Sequence, residues 1–189
     1  MKLFKLGLFS IITASALYAG TYKVDVSHSS VGFKVKHMMI SNVKGNFEKF
    51  NGSFEYDEKI NRLTSLEGVV EVASINTGNV KRDTHLKTSD FFAADKYPKI
   101  TFTLDKIEGE KAYGQLTMRG VTKNIVLAIE TSGQTIKDPW GNTRTGLILE
   151  GKINRYDYGI KYNSLLEAGG VTIGEEVKLE VELEGILTK

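Results

Sequence analysis

From residue 21 onward the chain alternates apolar and polar positions, the period-2 signature of strands with one buried face. In SVGFKVKH, Val31, Phe33, Val35 and His37 share one face, with Gly32, Lys34 and Lys36 on the other. KITFTLDKI aligns Ile100, Phe102 and Leu104, and KAYGQLTM sets Ala112, Gly114, Leu116 and Met118 against Tyr113, Gln115 and Thr117. In EEVKLEVELEGIL, Val177, Leu179, Val181 and Leu183 oppose Lys178, Glu180, Glu182 and Glu184. Strands are also predicted around GSFEYD, LEGVVEVAS, NIVLAIETS and TRTGLILEGKIN, with turns at IEGEK and DPWGN.

One-sided strands belong to antiparallel sheets that wrap an interior. About eight long strands close into an up-and-down barrel or a lipocalin-like sandwich, so the fold class is all-β. One helical interruption stands out. Thr77 or Asn79 can cap a short helix running through Leu86, Ser89 can cap a second turn around Asp90 to Ala94, and Pro98 returns the chain to strand.

The 189 residues suit one domain. Residues 1–19 have the layout of a secretory signal peptide: Lys2 and Lys5, an apolar run from Leu6 to Leu17, then small residues near Ala19. Residues 20–189 then form the mature barrel. The uncharged run is too short for an ordinary membrane span, and there is no cysteine to carry a lipid anchor. Export without cysteines points to a periplasm and away from disulfides, thiolate metal sites and cysteine nucleophiles. Loss of Lys2 and Lys5 on processing brings 25 basic residues to 23, against 23 acidic ones, so charge gives no support for a nucleic-acid partner.

The residue types needed for catalysis occur together once, at Arg82, Asp83, His85 and Ser89, but positions this close on one helix splay around it. No catalytic residue is assigned. The three histidines, His28, His37 and His85, match no HxxxH or HExxH spacing, and no metal ligand is assigned. A metalloprotein or hydrolase using His37 and His85 is the alternative to a binding protein. Arg155 ends an apolar row through Leu147, Leu149, Gly151 and Ile153, so it needs either a carboxylate such as Asp157 or Asp83 or a ligand head group. Phe33, Phe47, Phe50, Phe54, Phe91, Phe92 and Phe102 crowd the stretch from 33 to 102, while Gly32, Gly114, Gly146 and Gly151 punctuate strands, where glycine leaves space or permits bends.

The runs HSSVGFKVKHMMISNVKGNFEKFNGSFEYD, INTGNVKRDTHLKTSDFFAADKYPKITF, GQLTMRGVTKNIVL and INRYDYGI closely resemble the YceI-like family of polyisoprenoid-binding periplasmic proteins. The markers in order are His28-Ser29 opening a strand, Val35 to His37, a Gly45–Phe47 turn, Arg82-Asp83-x-His85-Leu86, Asp90-Phe91-Phe92, Tyr97-Pro98, Gly120-Val121-Thr122, and Asn154-Arg155 with Asp157 and Gly159.

The resemblance implies an extended lipocalin-like antiparallel barrel with a small helix at its side. It also implies an apolar tunnel for a polyisoprenoid, an isoprenoid quinone or a fatty amphiphile, a binding rather than catalytic role, no cofactor beyond the lipid, and a possible homodimer. The tunnel wall becomes Val31, Phe33, Val35, Phe54, Phe91, Phe92, Phe102, Leu147 and Leu149, and the polar end His37, Arg82, His85 and Arg155. Arg119, in TMRGVTK, stands where the family often has histidine, and suggests a more anionic head group.

Overall fold

The alternating stretches form twelve strands, described in a computed structural model for residues 19–166 and 169–188. They are β1 (Ala19–Val24), β2 (Ser30–His37), β3 (Ser41–Phe47), β4 (Phe50–Asp57), β5 (Arg62–Glu71), β6 (Ile75–Asn76), β7 (Lys99–Glu108), β8 (Lys111–Met118), β9 (Val121–Thr131), β10 (Ile136–Lys137), β11 (Thr143–Asn154) and β12 (Ile173–Leu187). Helix α1 (Val80–Lys87) lies between β6 and β7. Of the residues 1–19 that carry the export-signal reading, 1–18 lie outside the described residues.

Hydrogen bonding runs β11, β9, β8, β7, β5, β4, β1, β12 and returns from β12 to β11, closing an eight-stranded antiparallel barrel. Strand β12 is long enough to hold two partners on one edge. Its residues from Ile173 to Glu182 pair with β2, and Gly185 to Leu187 pair with β1. Strand β3 continues outward from β2, and β6 from β3. The barrel is thus widened at the end where α1 sits.

Asn79 caps α1, its side-chain oxygen accepting from Arg82 N–H at 3.0 Å. The expected second turn forms over residues 89–92, as a hydrogen-bonded turn rather than helix. Thr88, not Ser89, organises residues 88–94: its carbonyl accepts the Phe91 and Ala93 N–H groups, and Phe92 and Ala94 return to Leu86 and Lys87. Gly45–Phe47 is strand rather than turn, because Val43, Gly45 and Phe47 continue the register opposite Val35, Phe33 and Val31. His28 ends a short 3-10 turn, and the strand opens at Ser30.

Two groups of core residues fill the interior. At one end Tyr22, Phe54, Tyr56 and Leu63 are almost fully enclosed. Tyr22 stacks on Phe54 with ring centroids 5.4 Å apart and meets the edge of Tyr56 at 6.3 Å. Toward α1 the second group, including Phe47, Phe91, Ile100, Leu116 and Ile153, surrounds a void instead of filling it.

Candidate functional site: an apolar tunnel with one polar end

The void has a volume of about 550 Å³ and an almost wholly apolar wall. Its depth comes from alternation. Leu66, Gly68 and Val70 of β5 share the inner face, opposite Phe54, Gly52 and Phe50 of β4, so two glycines meet where two side chains would otherwise fill the barrel. They differ in kind. A Cβ on Gly52 would lie 2.6 Å from the Glu67 carbonyl oxygen, whereas one on Gly68 would have the Asn51 carbonyl oxygen as its nearest neighbour, at 3.8 Å. Gly52 allows two backbones to approach; Gly68 keeps space empty.

Of the glycines singled out from sequence, Gly32 lies on the lining, while Gly114 and Gly151 do other work. A Cβ on Gly114 would strike the Phe102 ring at 2.5 Å, and one on Gly151 would strike Leu127 at 2.4 Å. These positions seat neighbouring side chains. Gly52 and Gly68 were missed because a glycine's spacing does not reveal what lies above it.

Of the expected wall, Val31, Phe33, Val35, Phe91, Phe92, Phe102 and Leu149 line the void. Phe54 and Leu147 do not. Both point inward, as alternation requires, but they lie in the solid end: Phe54 under Tyr22, and Leu147 in the same packed group.

All four residues expected at the polar end, His37, Arg82, His85 and Arg155, reach the void. Strand β2 delivers His37 at its last position, α1 delivers Arg82 and His85, and the turn after β11 delivers Arg155. His85 Nε2 lies 2.8 Å from an Asp90 carboxylate oxygen. Its ring meets the edges of Phe91 at 5.0 Å and Tyr162 at 4.9 Å. These three rings form a collar over the opening. Phe92 turns away from the collar and packs edge-on against Phe47.

Arg82 donates from Nε to Thr77 Oγ1 and from a terminal nitrogen to the Thr77 carbonyl, at 2.7 and 2.9 Å. Asp83 accepts from the N–H and hydroxyl of the same Thr77, so it is not free to pair with Arg155. Arg155 is 4% exposed and forms no ion pair among the described residues, contrary to the expected bridge to Asp157 or Asp83. Its guanidinium donates instead to the carbonyls of Gly174, Ile160, Tyr162 and Ile173, at 2.8 to 3.2 Å. It straps the segment after Gly159 to the start of β12. Burial pushes its pKa down from the ordinary value, opposed by Tyr156 and Glu175.

The cavity also takes in Lys36, Lys81 and Tyr162, which sequence reasoning missed. Lys36 sits on the outer parity of β2, and Tyr162 lies in a segment without periodicity. Among the described residues the one acidic residue on the lining is Glu67, whose carboxylate accepts from Ser53 Oγ on the exposed side. The charged groups at the opening are therefore mostly basic. Arg119 is not part of this end: its guanidinium donates to the carbonyls of Ser89 and Gly159, away from the void. Among the described residues the metal-ligating atoms that converge are those of Asp25, His28 and Glu184, and neither His37 nor His85 joins them. Arg144 already bonds Asp25 and Glu184 there, at 2.7 and 2.6 Å.

A closed β-barrel, solid at one end and hollow at the other, with an apolar tunnel opening onto a few polar groups, defines the class of ligand-enclosing barrels. Within that class the chain belongs to the YceI-like domain family, whose model matches residues 22–185. It is 41% identical over 165 residues to UPF0312 proteins of Staphylococcus aureus, covering 86% of this chain and 95% of theirs. The Campylobacter jejuni YceI protein has the same fold, with 34% identity over the full length of both chains and a TM-score of 0.70. A polyisoprenoid binding domain from Saccharophagus degradans implicated in plant cell wall breakdown shares the fold at 17% identity and a TM-score of 0.63, covering 88% of this chain and 98% of that one.

Proposed function

We infer that the protein is a carrier for a long-chain isoprenoid amphiphile, exported through its first nineteen residues and working in a periplasm. The observation that carries this reading is the continuous apolar void of about 550 Å³, which ends on His37, Arg82, His85 and Arg155. Each methylene withdrawn from water contributes about 0.8 kcal/mol, so the tail dominates affinity and the polar end sets orientation. The likeness to a polyisoprenoid binding domain points the same way. His37 has no side-chain partner among the described residues and the Arg82 guanidinium bonds only Thr77, which leaves both able to meet a head group.

The test is native mass spectrometry with organic extraction on protein purified from its own host. A stoichiometric isoprenoid amphiphile is the expected result. Protein that arrives empty and also refuses a long-chain isoprenoid quinone in detergent micelles would sink the reading.

A further inference from the structure

We propose that the rim of the tunnel is a membrane-docking surface that seats the opening on a bilayer containing anionic lipids. The polypeptide around the opening comes from three places. The β2–β3 turn is joined to the segment before β12 by the Met38 N–H bonding the Thr172 carbonyl at 2.8 Å. That segment meets α1 where Tyr162 packs on His85.

All three elements expose large apolar side chains on this rim. Met39 is 59% exposed, Ile40 84%, Val80 81% and Leu165 85%. A cluster of this kind beside a cavity mouth signals an interaction site rather than scattered surface residues.

The β2–β3 turn adds an independent observation. Ile40 N–H closes the turn onto the His37 carbonyl, and both central residues, Met38 at φ 50° and Met39 at φ 62°, are left-handed. This is the type I′ pattern, for which Asn-Gly is the low-strain choice. Two methionines here tolerate unfavourable backbone in order to hold flexible, apolar side chains in solvent, and strain retained at one place points to a use for it.

Charge selects the partner. Lys36 and Lys81 reach the opening, the exposed Lys161 precedes Tyr162 of the collar, and none of the three forms an ion pair among the described residues. Among the described residues, the carboxylates on and just after α1 are engaged, Asp90 by His85 and Asp83 by Thr77. Exposed apolar groups ringed by unpaired lysines match an anionic bilayer surface. The proposal rests in part on the carrier reading, since a water-insoluble tail must pass directly between bilayer and tunnel.

The test is flotation of the full mature chain with phosphatidylcholine vesicles, with and without phosphatidylglycerol. Three variants accompany the wild type: Met38→Asn/Met39→Gly, Ile40→Ser/Leu165→Ser, and Lys81→Glu. Wild type should float with the anionic vesicles. Each double variant should partition at least about tenfold less, and the lysine variant about fivefold less for each unit of charge changed.

The turn variant should melt no lower than wild type, because Asn-Gly relieves the left-handed strain, so its loss of flotation is not loss of fold. Loading from detergent micelles with a long-chain isoprenoid quinone should survive in both double variants, whose residues lie off the cavity wall. Failure of loading alone, with rim-dependent flotation intact, would discard the carrier reading and leave the docking surface standing. Three results overturn the proposal: no flotation of wild type, flotation of the variants equal to wild type, or a wild-type dimer in sedimentation velocity that the turn variant converts to monomer. The last would assign this face to a second copy of the chain.

Discussion

Gly68→Leu tests the tunnel most directly, because it fills the void without requiring the wall to move. A Cβ at this position has the Asn51 carbonyl oxygen as its nearest neighbour, at 3.8 Å, which is ordinary contact. The backbone is paired strand, Gly68 lying opposite Gly52 and Phe102, so a side chain should gain the ~0.5–1 kcal/mol that glycine forfeits within a strand. The four carbons of leucine then occupy the room of about as many ligand carbons. At ~0.8 kcal/mol each the loss is about 3 kcal/mol, or roughly two-hundredfold in Kd. Competitive titration with a long-chain isoprenoid quinone reads the ratio, and thermal melting reads the fold. Wild-type affinity in a variant that melts at or above the wild-type temperature would refute the assignment of this space to ligand. Gly52→Ala is the contrasting control: its Cβ meets the Glu67 carbonyl at 2.6 Å, so it should lower the melting temperature.

Phe54→Ala should cost about 3–5 kcal/mol in urea unfolding while leaving quinone affinity within a few fold, because this ring belongs to the solid end. Lost loading at full stability would move Phe54 back to the tunnel wall. Arg155→Met removes the donor to four carbonyls and should cost about 3 kcal/mol or more, with faster amide exchange in residues 160–174 detected by mass spectrometry; unchanged exchange there would refute the strap. Burial raises the Asp138 carboxyl, but Arg144, Asn142 and the Trp140 N–H outweigh it and hold the group well below the usual carboxylate range. A depressed carboxylate adds stability that is full above the unfolded pKa of about 4 and is lost as pH falls toward the folded value. Asp138→Asn should therefore be less stable than wild type at neutral pH, and the gap should close as pH falls below about 4; a gap independent of pH in urea unfolding would contradict the pairing.

Periodicity reads out which face of a strand turns inward, so the barrel, its antiparallel order and most of its wall were legible in the chain. It carries no information on depth along the barrel axis. Phe54 and Leu147 obey the same alternation as Phe102 and Leu149, and only closure of the ring shows that Phe54 lies under Tyr22 and that Leu147 belongs to the same solid end. The Asn79 cap was legible because capping is local, whereas the ordering role of Thr88 depends on carbonyl geometry that residue types do not encode. Arg155 was identified as a cation in need of partners, yet the partners are backbone carbonyls as far along the chain as Gly174, which have no compositional signal. The Met38-Met39 turn was hidden for the opposite reason: its residue types argue against the conformation they adopt.

The long edge of β12 also governs when the compartment can exist. This strand completes the ring against β11 and holds both β1 and β2, so until it is laid down three strand edges stand unpaired. Nearly the whole barrel must be assembled around a strand that follows the other described strands in the chain, and such distant pairings are slow to form and vulnerable to association with other chains while they wait. Strands β1, β4, β5, β7, β8, β9 and β11 can build a curved sheet early, but it has no inside. The tunnel comes into being in one step, when β12 is inserted, and cargo cannot be enclosed before the protein has finished folding.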